Sequence, residues 1–392
     1  MSANFRPVVW RPVVWVLVAL LGAATPVPPG AASVAGVARA ADLDVVVGWL
    51  REDRPRPPTL SNLEPVPADE GLAGVRLGVA DSATTGAFLG HRYALVEDEP
   101  LAADLVVVDV SPARLLELAD AHPNKLFFNV AAPDARLRGT DCRANVLHTL
   151  PSRLMLADAL AQFAVRRRWG DLALMVGRRE ADRALARAFE RAAAKFGARV
   201  VGRVAWTADA DLRRTAAAEL PPLLQSLPDH DMLVVADEAD NFARYVPFNT
   251  WAPRPVAGSA GLRPRAWSPA VEAYGAAQLQ ARFSDLADRS MRPVDWAAWA
   301  AVRAVGEAAT RTGQADAAAI RAHLLSDAFE LAAFKGRPVS FRAWNGQLRQ
   351  PVPLAHPRAL VAMAPLEGFL HRRTELDTLG LDAPESNCEA FQ

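Results

Sequence analysis

The sequence lacks the short motifs by which catalytic and cofactor sites are commonly identified. The string "AGSAG" begins with Ala257, so it is not the G-x-S-x-G turn that presents a nucleophilic serine. The sequence contains no G-x-x-x-x-G-K-[ST] phosphate loop and no G-x-G-x-x-G after a strand pattern. Its seven histidines are scattered, without the H-x-x-x-H spacing of a metal site. We therefore expect no enzymatic activity, no metal and no cofactor.

An excess of charge of either sign is also missing. The 44 Lys and Arg residues balance the 44 Asp and Glu residues. The first 40 residues contain three arginines and no acidic residue, so the remaining chain has three more acidic than basic residues. Proteins that bind nucleic acids or anionic membranes need a basic surplus on one face. The composition therefore excludes nucleic acid as a partner.

The chain has no apolar run long enough to cross a bilayer, and its amino terminus has the pattern of a secretory signal. Arg6 and Arg11 precede the apolar run 13–21, and small residues lead to Ala38-Arg39-Ala40. A membrane anchor is the alternative, but the strictly apolar part is well short of the ~20 residues of a spanning helix. We expect cleavage after Ala40, export to the periplasm and no membrane insertion of the mature chain.

Cysteine is nearly absent, and this scarcity makes one pairing testable. Cys142 and Cys388 are the only two cysteines. An oxidising compartment favours a disulfide between them, although two unpaired thiols are the alternative. A bridge would attach the C-terminal tail to the irregular segment "RGTDCRANVLHTLPSR" at 138–153.

Short apolar strands alternate with amphipathic helices on both sides of residues 131–152. This alternation is typical of parallel sheets covered by helices, and the chain is long enough for two such units. Strands are predicted at 45–47, 104–110, 125–130, 171–177, 198–206 and 231–237, and helices around 112–121, 154–168, 182–196, 208–226 and 295–311. The sequence therefore predicts an α/β fold of two lobes with several crossings between them. The N-terminal lobe is predicted to comprise 41–148 with 267–335, and the C-terminal lobe 149–266 with 336–392.

Ligands of open α/β sheets bind at the carboxyl ends of the strands, which gives a set of candidate residues. In the first lobe the candidates are Trp49, Asp109, Ser111, Asn129 and Ala131. In the second lobe they are Arg178, Arg179, Trp206, Asp237, Glu238 and Trp267. Each has an alternative: Ser111, Asp237 and Glu238 suit helix caps, and the tryptophans suit core packing. Three tryptophans at strand ends would favour a flat apolar or aromatic solute.

Several long strings resemble a known family. "GLAGVRLGVADSATTGAFLGHRYALVEDE", "RANVLHTLPSRLMLADALAQFAVRRRWGDLALMVG" and "PVSFRAWNGQL" resemble the periplasmic branched-chain amino acid binding proteins, which have the type I solute-binding fold. "YVPFNTWAPRPVAGSAGLRPRAW", "FKGRPVSFR" and "GFLHRRTELDTLGLDAPESNC" resemble a subgroup found beside pyrroloquinoline-quinone-dependent alcohol dehydrogenase systems.

The resemblance implies an exported, monomeric solute-binding component of an ABC importer. Its partners would be a small-molecule ligand and an ABC permease, and the subgroup implies a link to alcohol oxidation. A sensor or accessory protein of the same fold is the alternative, and a periplasmic enzyme is less favoured. The chain departs from the family at Ala131 and Ala132, where amino acid binders place hydroxyl side chains. This departure disfavours a polar amino acid ligand.

Overall fold

The computed structural model describes residues 42–54, 65–207 and 212–391, excluding the side chains of 212–214. The predicted signal with its cleavage site, and residues 55–64 of a proline-rich stretch, lie outside the described residues. The described residues belong to one compact unit. Within the described segments, no helix combines the length and the apolarity that crossing a membrane requires.

The first sheet is parallel throughout and has the strand order β2-β1-β3-β4-β5. Its strands are β1 (Leu43–Arg51), β2 (His91–Val96), β3 (Leu105–Asp109), β4 (Leu126–Asn129) and β5 (Val146–His148). Every residue of β3 and β4 is buried. Continuous apolar strands of this kind form sheets that are covered on both faces.

The second sheet repeats this architecture with the order β7-β6-β8-β9, again all parallel. Its strands are β6 (Asp171–Val176), β7 (Arg199–Ala205), β8 (Met232–Ala236) and β9 (Val256–Gly258). The central strand β8 is buried along its whole length.

Helices cover both sheets. They are α1 (Leu72–Gly86), α2 (Pro112–Ala121), α3 (Arg153–Arg166), α4 (Glu180–Phe196), α5 (Leu212–Gln225), α6 (Ala276–Ala287), α7 (Pro293–Thr312) and α8 (Ala317–Leu324). The predicted start of α2 is confirmed, because the Ser111 side chain accepts a hydrogen bond from the Arg114 amide and Pro112 is the first helical residue. Pro293 occupies the same position in α7, so this helix begins two residues before the predicted start.

Each sheet has a hydrophobic core on both faces. The first sheet packs against α1, α6, α7 and α8 on one face and against α2 on the other. Helices α1 and α7 pack closely because Gly74 and Gly78 lie in the contact; a Cβ at Gly74 would stand 2.0 Å from the Asp295 carbonyl oxygen. The second sheet packs against α3 and α4 on one face and against α5 on the other.

The C-terminal region is formed by short antiparallel strands, as its proline- and glycine-rich sequence predicts. They are β10 (Arg263–Pro264), β11 (Ser340–Phe341), β12 (Leu348–Arg349), β13 (Val352–His356) and β14 (Ala359–Ala364). β13 and β14 pack against α3, whereas Phe341 and Leu348 belong to the core of the first sheet. The lobe boundaries therefore remain a prediction.

The structure confirms the predicted disulfide. Cys142 and Cys388 are bonded, with their Cα atoms 5.6 Å apart and a sequence separation of 246 positions. Both side chains are buried. The bridge holds the C-terminal tail against the connection between β4 and β5 of the first sheet.

Two crossings between the sheets lie side by side. The His148 backbone amide donates to the Gly346 carbonyl oxygen at 2.8 Å, and the Gln347 amide group donates to the carbonyl oxygens of His148 and Leu150. The Gln350 amide group donates to the Thr149 carbonyl oxygen at 2.7 Å. Side-chain amides therefore join the crossing after β5 to the crossing near β12.

Candidate functional site

The carboxyl ends of the two sheets form the candidate site, because this edge of a parallel sheet is where ligands bind. The strands of the first sheet end at Arg51, Val96, Asp109, Asn129 and His148, and those of the second end at Val176, Ala205, Ala236 and Gly258. No cluster of His, Cys, Asp and Glu side chains among the described residues could hold a metal ion. A cavity of about 430 Å³ lies at the opposite, amino edge of the first sheet, beside Lys125 and Arg321, and is not part of this site.

Asp109 ends β3 as a buried carboxylate paired with two arginines. It forms ion pairs with Arg51, at 3.4 Å, and with Arg54. Burial raises the pKa of Asp109 above its usual value, although the positive charges of Arg54 and Arg51 act in the opposite direction. The pairing of Asp109 with both arginines fixes the chain just beyond β1.

Ser111 combines its capping role with a contact to Glu52. Its hydroxyl donates to the Glu52 carboxylate at 3.1 Å, and its backbone amide donates to the same group. These two hydrogen bonds lower the pKa of Glu52. The Ser111 hydroxyl is therefore occupied by the cap of α2 and by Glu52.

Asn129 shapes the loop that contains Ala131. Its Oδ1 accepts from the backbone amides of Ala131 and Ala132, and its Nδ2 donates to the Ala132 carbonyl oxygen and to His148 Nδ1. Burial, with the nearby charge of Arg138, lowers the pKa of His148 well below its usual value. His148 is therefore neutral, accepts at Nδ1 and donates from Nε2 to the Leu137 carbonyl oxygen.

Arg153 connects the carboxyl edges of the two sheets. Its guanidinium pairs with Asp134, in the loop after β4, at 3.0 Å and with Glu238, just after β8, at 2.5 Å. Burial acts to lower the pKa of Arg153. The hydrogen bonds to Glu238 and Asp134, with their negative charges, act in the opposite direction and outweigh burial, so the pKa of Arg153 is raised. The two edges therefore face each other across Arg153.

Asp182 organises the second edge. Its side chain is buried and accepts from the backbone amides of Arg179 and Glu238, at 3.0 and 2.9 Å. Asp237 caps the turn that follows, because its Oδ2 accepts from the amides of Phe242 and Ala243. Arg178 donates to the Thr207 carbonyl oxygen.

A group of arginines adjoins this edge and has few partners. Arg244 donates to Asp240 at 2.8 Å through Nη2, but its Nε and Nη1 are buried without a hydrogen bond. The hydroxyl of Tyr245 and the Nε of Arg263 are also buried without a partner. Arg265 lies two residues after Arg263, beyond β10. We call Arg244, Tyr245, Arg263 and Arg265 the arginine cluster.

Comparison with known proteins gives matches in structure only. No family model matches the chain, and no curated protein matches it. A branched-chain amino acid ABC transporter periplasmic ligand-binding protein from Burkholderia xenovorans LB400 is similar, with a TM-score of 0.67, 16% identity and coverage of 89% of this chain and 100% of that chain. A periplasmic binding protein from Burkholderia mallei is also similar, with a TM-score of 0.63 and 14% identity. The match covers 90% of this chain and 100% of that chain. An ABC transporter substrate-binding protein from Desulfitobacterium hafniense, in complex with Leu, has a TM-score of 0.60 and 15% identity. The match covers 81% of this chain and 98% of that chain.

The chain has the type I periplasmic binding fold. At these identities the likeness shows the fold alone, and the fold is the one that the sequence predicts. We call the region between the two carboxyl edges the cleft; it is bordered by Asp109 and Asn129 at the ends of β3 and β4, by Asp182 in the first turn of α4 and by Asp237 just after β8.

The predicted tryptophans of this periplasmic binding fold lie in hydrophobic cores. Trp267 is 1% exposed and stacks on Trp296 at a centroid distance of 6.5 Å, with its indole nitrogen 3.4 Å from Gln280. Trp49 packs in the same core, and Trp206 packs against Phe242 in the core that contains α5. The structure does not bring the three rings together as one platform, and packing accounts for each.

Sequence reasoning missed Arg153, Asp182 and the arginine cluster. One signal for the cluster was present: in "LRPRAW", Arg263 and Arg265 alternate about a proline. Residues at i and i+2 of an extended segment point to the same face, so both guanidiniums were predictable as neighbours. No local pattern marks Arg153, because its partners lie 19 and 85 positions away.

Proposed function

We propose that the protein is the exported solute-binding component of an ABC-type importer and binds a small molecule in the cleft. The observation that carries the proposal is the pair of parallel sheets whose carboxyl edges face each other through Arg153, with polar groups on both edges. Crossings between two lobes allow hinge closure around a ligand. The printed names of similar structures, which include ABC transporter ligand-binding proteins, support the same role.

A binding panel tests the proposal. The purified mature protein is titrated calorimetrically with amino acids, aliphatic and aromatic carboxylates, alcohols, aldehydes and the quinone cofactor. We expect one class to bind with 1:1 stoichiometry and to reduce the radius of gyration measured by X-ray scattering, because closure brings the lobes together. Turnover of a panel member, abolished by one point substitution, would contradict a binding role.

The proposal includes export through the general secretion route. We expect mass spectrometry of the periplasmic fraction to find a mature chain that begins at Ala41, because Ala38-Arg39-Ala40 fits a signal-peptidase site. The control is a chain with Ala38 and Ala40 replaced by bulky residues, which should stay uncleaved. An acylated or full-length amino terminus in the unaltered protein would contradict this route.

A link to pyrroloquinoline-quinone-dependent alcohol oxidation is the finer part of the proposal. Its support is the resemblance of strings such as "GFLHRRTELDTLGLDAPESNC" to that subgroup. If the link holds, the ligand belongs to the alcohols, aldehydes or acids of that pathway class. The binding panel contains all three, and selective binding of a compound unrelated to them would remove this link.

A further inference from the structure

We infer that the solute is an anion of the carboxylate class and that Arg263 and Arg265 bind it. This inference rests on the proposed function and specifies the ligand chemistry of the same cleft.

The first argument is the contrast between these two partly buried arginines and the fully buried arginines of the chain. Arg138 is fully buried and donates to Gln347 and to three carbonyl oxygens. Arg342 is equally buried and donates to Asp377 and to three carbonyl oxygens. Within the described part of the chain, no side-chain hydrogen bond or ion pair links Arg263 or Arg265 to another residue, and Arg263 Nε is buried without a partner. In the arginine cluster, by contrast, Arg263 Nε and the Nε and Nη1 of Arg244 are buried without a hydrogen-bond acceptor.

The second argument is electrostatic. Burial lowers the pKa of Arg265 to about 10, and the positive charges of Arg263 and Arg292 contribute to the shift. Burial also lowers the pKa of Arg263, and the charge of Arg244 adds to this effect. Like charges that are partly removed from water need a counter-charge. A bound anion would supply that charge.

The third argument is position. Leu262 accepts from the Gly258 amide at 3.0 Å and donates to the Val256 carbonyl oxygen, which places Arg263 directly after the carboxyl end of β9, the neighbour of β8. Ala266 and Trp267, which follow Arg265 directly in the chain, belong to the core of the first sheet. The pair therefore lies where the chain passes from the second sheet back to the first. An anion bound there would contact both lobes.

The other arginines whose charges act on the pair have carboxylate partners. Four arginines are involved, of which Arg292 is paired with Glu70 at 2.5 Å. The arginines are Arg244, Arg263, Arg265 and Arg292, and the carboxylates are Asp237, Asp240 and Glu70. Arg244 is paired with Asp240 at 2.8 Å, whereas Arg263 and Arg265 form no ion pair among the described residues. Arg244 and Tyr245 offer further buried donors without partners from the second lobe.

Two carboxylate oxygens of the same region also lack partners. Asp237 Oδ1 and Asp240 Oδ1 are buried without a hydrogen bond. They could accept from a hydroxyl or an ammonium group elsewhere on the solute. The test therefore separates a simple carboxylate from an amino acid, which presents the same carboxylate with an added ammonium.

The experiment compares Arg263→Met and Arg265→Met with Arg358→Met, an exposed arginine in the hairpin between β13 and β14. Each mature protein is titrated with monocarboxylates, their primary amides, the matching 2-amino acids and inorganic phosphate. We expect the unaltered protein to bind a carboxylate and to reject its amide. Loss of one charge-assisted contact should weaken binding about 10- to 100-fold in either cleft variant and leave the Arg358→Met control unchanged.

A melting measurement without ligand separates a binding role from a structural one. Because the two guanidiniums are unpaired, their replacement should leave the melting temperature unchanged or raise it. A lowered melting temperature together with unchanged affinity would assign both arginines to the fold and overturn the inference. Tight binding of a neutral solute by both variants would overturn the anion class while the solute-binding role stands. Failure of every charged and neutral compound to bind would overturn both.

Discussion

Replacing Cys388 with serine should lower the free energy of unfolding by up to about 5 kcal/mol. The disulfide with Cys142 closes a loop that spans 246 residues of sequence. In the chain-entropy model, a cross-link of that length removes about 5 kcal/mol of conformational freedom from the unfolded chain, and residual structure reduces the figure. Denaturant unfolding of the oxidised protein and the variant measures the difference.

Three controls accompany this measurement. Cys142→Ser should give the same loss, and the double variant should lose no more than either single one, because all three lack the same bond. Solute affinity should stay near that of the unaltered protein, because both cysteines lie outside the arginine cluster. Equal unfolding midpoints with and without reductant would contradict the stabilising role of the bridge.

Replacing Asp377 with asparagine should destabilise the protein by about 3–5 kcal/mol, the usual cost of breaking a buried ion pair. Asp377 is 1% exposed, and its carboxylate accepts from Arg342 at 2.9 Å and from Arg349 at 2.8 Å. Both arginines are themselves buried. The substitution leaves two positive charges in the interior without a counter-charge, and denaturant unfolding again gives the difference.

Asp327 supplies the matched control. It pairs with Arg373 at the surface and is 90% exposed, so Asp327→Asn should leave the unfolding midpoint unchanged. The triple variant with Asp377, Arg342 and Arg349 all made uncharged should recover part of the loss, because the unpaired charges are removed. Equal stability of Asp377→Asn and Asp327→Asn would show that the buried pair contributes nothing.

The sequence predicted the elements of the fold because local patterns determine them. The apolar runs at 104–110 and 231–237 became central strands β3 and β8, and the Ser111-Pro112 pair became the start of α2. The two cysteines were predictable partners because no other thiol competes. The exact extents were harder to predict: β1 covers Leu43–Arg51, whereas the β-branched run is only 45–47.

The site was less predictable because it depends on contacts between distant segments. Position at a strand end suggested Trp267 as a ligand contact, but its environment is set by Trp296 on α7, 29 residues later. Asn129 was correctly placed at the carboxyl edge, yet all its polar atoms are used within its own loop and by His148. The absence of partners around Arg263 is a property of the folded chain, which no local pattern contains.

The side-chain amide hydrogen bonds between the two adjacent crossings restrict how the two sheets can move relative to each other. Gln347 holds the carbonyl groups of His148 and Leu150, and Gln350 holds that of Thr149. Sliding one crossing along the other would break these bonds, whereas flexing both in step preserves them. We therefore expect the two sheets to move relative to each other by hinge rotation about one axis at the two crossings, and not by twisting or shear.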